Sequence, residues 1–225
     1  MALALFDLDN TLLAGDSDHL WGQFLVNNDI MDGALYRAQN DQFFQDYRQG
    51  NLDIQAYLAF QLGVLAQHDR AVLYRWRDQF IADMIVPIIA HHTRTLLTWH
   101  RQRGDTLVIV TATNRFVTAP IAELLAVPHL LATELEVEND RFTGRPAGIP
   151  CFREGKVQRL LQWMQETGTS LADSWFYSDS HNDLPLLTRV AYPVAVDPDE
   201  TLRQVAQDKE WAIISLRHSP PSTHA

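Results

Sequence analysis

Leu3-Ala4-Leu5-Phe6-Asp7-Leu8-Asp9-Asn10-Thr11-Leu12 decides how the rest of the chain is read. A short apolar run, Leu3 to Phe6, stops abruptly at two acids. Apolar runs this short, bounded by polar residues, predict a buried strand. Side chains two apart on a strand share a face. Asp7 and Asp9 should therefore stand close together at the strand's C-terminal end, with Leu8 turned the other way. In open α/β folds that end of a parallel sheet is where ligands bind. Two nearby carboxylates repel, and coexist only with a bound cation, a shared proton or basic neighbours. The plainer alternative is a chain edge with two solvated acids.

A turn-forming stretch follows, Ala14-Gly15-Asp16-Ser17-Asp18, with Ser17 or Asp18 placed to cap a helix. Residues 18–85 then read as almost all helix, broken once at Gly50-Asn51. Trp76, Phe80 and Met84 recur every four residues, which in its simplest reading is helical core packing. The character changes near Pro87. The pattern predicts a helix over 87–102 closed by Gly104, a usual C-cap. A β-branched run over 106–110 predicts a buried strand that stops at Thr111, and a helix over 116–126 follows. A strand over 130–137 should turn at Asn139-Asp140 as a hairpin, before a Gly/Pro-rich loop over 144–150 and a helix over 155–166. Strands over 174–178, 192–196 and 211–214 alternate with helices over 184–189 and 200–207.

Such alternation implies an α/β fold: a parallel sheet with helices on both faces. The first two strands are separated by roughly ninety residues, far beyond an ordinary crossover. The simplest account is a helical domain over 16–85 inserted into an α/β core made of 1–15 and 86–216. Residues 217–225 carry two prolines and no apolar periodicity, and are expected to be a disordered tail.

The totals exclude several classes. The chain has 225 residues, 46% of them hydrophobic, and a net charge of -10, so it suits a soluble enzyme-sized fold. No stripe of Lys and Arg tracks a phosphate backbone, so nucleic acid is not an expected partner. Cys151 is the single cysteine, which rules out an internal disulfide or a Cys-rich zinc site. No segment has the length of a membrane span and the first residues do not form a signal peptide. The expected location is cytoplasmic, with no membrane partner; oligomeric state is not legible.

Chemistry-bearing residues gather at the predicted strand ends. Asp7 and Asp9 follow the first strand, Thr111 the second, and Asp179 and Asp183 a later one, while Lys156 opens a helix after Glu154-Gly155. A parallel sheet brings those ends to one edge. The bland alternatives are a surface lysine for Lys156 and a helix N-cap for Thr111; Asn182 orients Lys156 or Asp179, or else serves as a cap. His91, His92 and His100 lack a metal-ligand set and read as solvated or packed. Cys151 has no activating neighbour in sequence and reads as structural. His181 contacts a substrate or fills space.

This combination resembles the haloacid dehalogenase-like hydrolase superfamily, in its phosphatase branch. Asp7-Leu8-Asp9-Asn10-Thr11-Leu12, Thr111, Lys156 and Asp179-Ser180-His181-Asn182-Asp183 match its four motifs in order. The resemblance implies a Rossmann-like three-layer αβα core whose inserted helices form a type 1 cap. It implies Asp7 as the nucleophile, forming an aspartyl-phosphate. It implies Asp9 as the acid that protonates the leaving group and then the base that takes a proton from water. It implies Mg2+ as cofactor, held by Asp7, the backbone carbonyl of Asp9 and Asp179, with Asp183 completing the shell. Thr111 and the following backbone N–H, that of Ala112, would bind the phosphoryl oxygens, and Lys156 would neutralise Asp7 and the transferring group.

The same resemblance bears on substrate. The helical-cap subfamily includes phosphoserine phosphatase, where the residue nine after the nucleophile is usually Glu and contacts the amino group. Here it is Asp16, with Asp18 beside it. The opening stretch and Cys151-Phe152-Arg153-Glu154-Gly155-Lys156 are similar to relatives described as histidinol-phosphatase-like. The expected substrate is a small phosphorylated metabolite, an amino-alcohol phosphate, with histidinol phosphate ahead of phosphoserine. Arg37, Arg48, Arg75 and Arg77 are candidates for gripping it, though such residues are mostly surface charges. The rival class is a module that binds phosphate or Mg2+ without turnover. A dehydrogenase is set aside because no Gly-x-Gly-x-x-Gly follows a strand.

Overall fold

The computed structural model describes residues 2–31 and 33–217. Seven strands form one sheet in the order β4-β3-β2-β1-β5-β6-β7. Strand β1 (Leu3–Phe6) lies at its centre, parallel to β2 (Thr106–Asn114) on one side and β5 (Trp175–Ser178) on the other. β3 (His129–Glu138) extends the β2 side, and β6 (Tyr192–Val196) and β7 (Ala212–Ile214) extend the β5 side, all parallel. Only β4 (Arg141–Ala147) is antiparallel, paired to β3 through the Asn139-Asp140 turn. Both turn residues have positive φ, 50° and 60°, the backbone a two-residue hairpin demands and Asn and Asp tolerate. The fold is thus the expected α/β type.

Period-two alternation assigns the core to two layers. Leu3 and Leu5 face one layer with Val108, Val110, Phe176 and Ala195. Helices α7 (Glu154–Thr167), α8 (Leu184–Leu187) and α9 (Glu200–Asp208) cover it. Ala4 and Phe6 face the other layer with Leu107, Ile109 and Tyr177. There α5 (Thr93–Gln102) and α6 (Arg115–Leu124) are joined by the helices that lie between β1 and β2 in sequence. Those are α1 (Ser17–Asn27), α2 (Gly33–Arg48), α3 (Ile54–Ala66) and α4 (Arg70–Phe80). Trp21, Phe24, Leu58, Leu62 and Phe80 carry their apolar faces into the same buried cluster as Phe6. Among the described residues no helix is long and apolar enough to cross a membrane.

Several expected boundaries are corrected. Helix α1 is capped by Asp16, whose side chain accepts from His19 N at 2.8 Å, and not by Ser17 or Asp18. The helix expected from Pro87 begins only at Thr93. The preceding residues close the loop after β1: Ala90 N and Thr93 Oγ1 both donate to Leu12 O, and Leu13 bridges Ile89. β2 runs on past Thr111 to Asn114, and β4 occupies the first half of the expected loop over 144–150. The stretch 217–225 falls mostly outside the described residues; Arg217 itself donates to Asn10 O at 2.8 Å.

Candidate active site

The chain runs from β1 through the helices to β2, then across to β5. The connections therefore part at the C-terminal end of β1, the switch point at which α/β sheets form a crevice. Asp7 leaves β1 there, its N–H donating to Tyr177 O at 2.9 Å. After it the chain coils tightly, with Leu13 N donating to Leu8 O and Asn10 at φ +55°. That coil returns Thr11 beneath Asp7. Its hydroxyl lies 3.2 Å from Asp179 Oδ1 and 3.5 Å from Asp7 Oδ2, so one side chain joins two strand ends.

Lys156 is buried, not on the surface: 2% of it is exposed. Its ammonium donates to Asp7 Oδ1 at 2.7 Å and to Asp183 Oδ2 at 2.8 Å. Burial opposes the charge, but Asp183 and Asp7 outweigh it and hold the lysine above its usual range. The Asp7 carboxyl is raised to about 7: burial pushes it up most, the Lys156 charge pulls it down, and Asp183 and Asp9 push it up further. Asp183 also accepts from Ser178 Oγ at 2.7 Å. Asp179 is raised well above the usual carboxylate range by burial, then by Asp7 and Asp183. The tight turn before α7 depends on Gly155, where a Cβ would fall 2.0 Å from Pro150 O. Any side chain there would force the backbone at Pro150 or at the start of α7 to shift.

The second acid behaves differently. Asp9 Oδ1 accepts from Ser17 N at 2.6 Å and Oδ2 from Thr113 Oγ1 at 2.7 Å. Burial, then the Asp16 charge, raises it to about 6. Asp16 and Asp18 are each pushed to about 7, burial being the largest cause for both. Asp18 is held by Tyr57, whose hydroxyl donates at 2.7 Å, and by Asn114 Nδ2 at 3.2 Å. Asp7, Asp9, Asp16 and Asp18 line one pocket with Thr111, Ala112 and Thr113. Its far wall is aromatic and aliphatic, from Phe43, Phe44, Tyr57, Leu52 and Ile54. Thr111 is no N-cap, because Asn114 caps α6 by accepting from Val117 N. The Thr111 hydroxyl accepts from Thr113 N at 3.2 Å.

Other candidates separate from this pocket. None of Arg37, Arg48, Arg75 and Arg77 lines it; Arg77 stacks on Phe116 and Tyr74 instead. Asn182 orients neither Lys156 nor Asp179. It accepts from Arg153 Nε at 3.0 Å and donates to Tyr47 O at 3.1 Å, across the seam to α2. Arg153 reaches further, to Gly50 O. His181 Nδ1 lies 2.8 Å from Asp199 Oδ2, and its Nε2 sits where a Cβ on Gly50 would fall. His100 is packed between Asp105 and Tyr177. Cys151 is buried and its thiol is pushed up to about 12 by burial.

Sequence reading passed over Thr113, Asn114, Tyr57 and Arg153. Only Thr113 left a local trace: Thr111 and Thr113 are two apart on a strand and share a face. Among the described residues no three His, Cys, Asp or Glu side chains stand close enough to hold a metal ion by themselves. Asp7 and Asp179 nevertheless share one hydroxyl, and their donors are hard oxygens. Mg2+ asks for no more: one or two carboxylates, with waters and phosphate oxygens completing its shell.

A buried lysine between carboxylates, at the switch point of a parallel sheet and under a helical insert, defines a hydrolase-type α/β site. The chain belongs to the haloacid dehalogenase-like hydrolase family, whose model matches residues 4–188. It is 42% identical over 219 residues to a histidinol-phosphatase of Neisseria meningitidis serogroup C (strain 8013), covering 96% of this chain and 99% of that one. A solved protein of unknown function from Bordetella pertussis Tohama I superposes with TM-score 0.90 at 44% identity, covering 96% and 98% of the two chains. A phospho-aspartyl intermediate analogue of phosphoserine phosphatase shares the fold, with TM-score 0.71 at 16% identity over 97% and 94%.

Proposed function

We propose that the protein is a Mg2+-dependent phosphomonoester hydrolase acting through an aspartyl-phosphate on a small amino-alcohol phosphate, histidinol phosphate ahead of phosphoserine. An oxygen of Asp7 attacks phosphorus while the ester P–O bond breaks and its electron pair leaves with the alkoxide. Asp9 gives that alkoxide a proton, then takes one from the water that hydrolyses the acyl phosphate. The Thr111 hydroxyl and the Ala112 N–H hold phosphoryl oxygens, and Lys156 neutralises charge beside Asp7. Asp7, Asp179 and the Asp9 carbonyl would hold the cation, with Asp183 directly or through water. When bound, the cation offsets charge on the phosphoryl group.

One observation carries the choice of substrate. The pocket beside Asp9 is bounded by Asp16 and Asp18, and no Lys or Arg lies among its described lining residues. A buried acid pair without a protein cation favours a cationic guest, because an unpaired buried charge is costly. A carboxylate on the guest would stand beside Asp16 and Asp18 with no Lys or Arg among the described lining residues to pair with it. An amino alcohol fits; an amino acid fits less well. The apolar wall suits a flat ring as its remaining part. The 42% identity to a histidinol-phosphatase supports the same choice.

Release of inorganic phosphate from a panel of monoesters tests this. Histidinol phosphate should exceed phosphoserine in kcat/KM by roughly tenfold or more, the worth of one misplaced charge. Activity confined to sugar phosphates or nucleotides would defeat the amine reading.

A further inference from the structure

Both oxygens of Asp9 are held, each from a different element. Oδ1 takes the backbone N–H of Ser17, at the start of α1, at 2.6 Å. Oδ2 takes the hydroxyl of Thr113, on β2, at 2.7 Å. The carboxylate is thus pinned from two elements that meet at the pocket. The two partners are chemically unlike: a backbone N–H can only donate, whereas a hydroxyl both donates and accepts. Thr113 is buried, with 4% exposed, and its own N–H is fixed to Thr111 Oγ1. Its side chain sits on the face of β2 that carries Thr111 toward Asp7 and Asp9.

We propose that Thr113 is the positioning residue for proton transfer by Asp9. This rests on the reading of Asp9 as the acid given above. When Asp9 is a carboxylate, the Thr113 hydroxyl donates to Oδ2. The Ser17 N–H holds Oδ1 while the Thr113 hydroxyl holds Oδ2, so the carboxyl group is fixed in place and in rotation at the pocket. In phosphoryl transfer the Asp7 oxygen–phosphorus bond forms and the ester P–O bond breaks. The proton of Asp9 passes to the departing oxygen, and Thr113 fixes the direction from which it comes. Side-chain placement of this kind matters because a misplacement of about 1 Å costs on the order of 100-fold in rate.

Leaving-group dependence separates this role from a merely structural one. An alkoxide needs a proton to leave; a 4-nitrophenolate does not. Full-length protein with added Mg2+ is assayed on histidinol phosphate and on 4-nitrophenyl phosphate. Thr113→Val should lower kcat/KM roughly 30-fold or more on the alkyl ester and less than about threefold on the aryl ester, since acid catalysis is worth 10²–10⁴-fold where it is needed. Thr113→Ala, which removes the hydroxyl without adding a methyl group, should give the same ratio. Thr113→Ser should stay within about threefold of the parent on both esters. Equal losses on the two esters, or no loss on either, would overturn the assignment. Asp9→Asn is the comparator. If it shows the alkyl-selective loss and Thr113→Val does not, only the role of Thr113 falls. If Asp9→Asn shows no alkyl-selective loss, the reading of Asp9 as the acid falls with it.

Discussion

Two groups of buried acids meet at the end of β1, and they are balanced in opposite ways. Asp7 and Asp183 share the Lys156 ammonium at 2.7 and 2.8 Å. Asp9, Asp16 and Asp18 are held only by neutral donors: two hydroxyls, an amide side chain and two backbone N–H groups. The first group has a cation of the protein's own between its two acids. The second raises one another's proton affinity and lacks a cation among its hydrogen-bond partners. A fold keeps such an imbalance where something else completes it. On the function proposed above, the lysine-paired group adjoins the reacting centre, while the uncompensated acids Asp16 and Asp18 would be completed by a cationic guest.

The largest effect should come from Lys156→Met. Methionine replaces the stem but leaves Asp7 and Asp183 as buried acids without their cation. Breaking a buried pair this way costs about 3–5 kcal/mol, which urea unfolding should read directly. Turnover should fall by roughly 10³-fold in the same variant, because charge neutralisation at the reacting centre is lost. A variant with near-parent stability would mean that the two groups are not balanced differently after all.

Asp16→Asn probes the other group. One oxygen of Asp16 caps α1 through His19 N, and asparagine keeps that cap. Only the charge offered to the guest is lost. A hydrogen bond to a charged group is worth about 1.5–3 kcal/mol. KM for histidinol phosphate should therefore rise roughly 10- to 100-fold, with kcat little changed. The substrate analogue without its amine should bind parent and variant alike. If that analogue loses as much as the amine, Asp16 does not face the amine.

How much of this was legible depended on sequence distance. β1, the acids after it and the strands leading to Thr111, Asp179 and Asp183 followed from short apolar runs and their polar stops, because strand periodicity is local, while Lys156 was marked by its place at a helix start. What escaped were the contacts between elements that no motif marks. Tyr57 reaches Asp18 over 39 positions, and Arg153 reaches Gly50 over 103. No pattern in either segment announces its partner. Pro87 misled for a physical reason. Proline near a helix start is a common signal, yet here it opens only one 3-10 turn, Val86–Ile88, after which the chain is taken up in pairing with Leu12 and Leu13. Asp16 as the true cap was missed because three capping residues stand in a row, and only the contact with His19 N chooses among them.

The smallest effect, and the one that isolates the second group, is the stability of Asp18→Asn against pH. Asp18 is 4% exposed and its carboxyl is raised from an ordinary 3.8 to about 7, chiefly by burial. An acid whose folded value lies above its unfolded value binds its proton more tightly when folded. The stability this lends is fully present below about pH 4 and is lost as pH rises through about 7. Asparagine has no charge to lose, so its stability lacks that slope. Asparagine also keeps only part of the pairing with the Tyr57 hydroxyl and Asn114, which offsets some of the gain. Asp18→Asn should therefore match or trail the parent at pH 4 and gain on it by on the order of 1 kcal/mol by pH 8. Melting curves of the two proteins across that range read the difference. Histidinol phosphate, added at pH 8, should narrow the gap by binding the parent more tightly than the variant. A constant gap across pH would place the Asp18 charge in contact with a cation, and would break the division between the two groups.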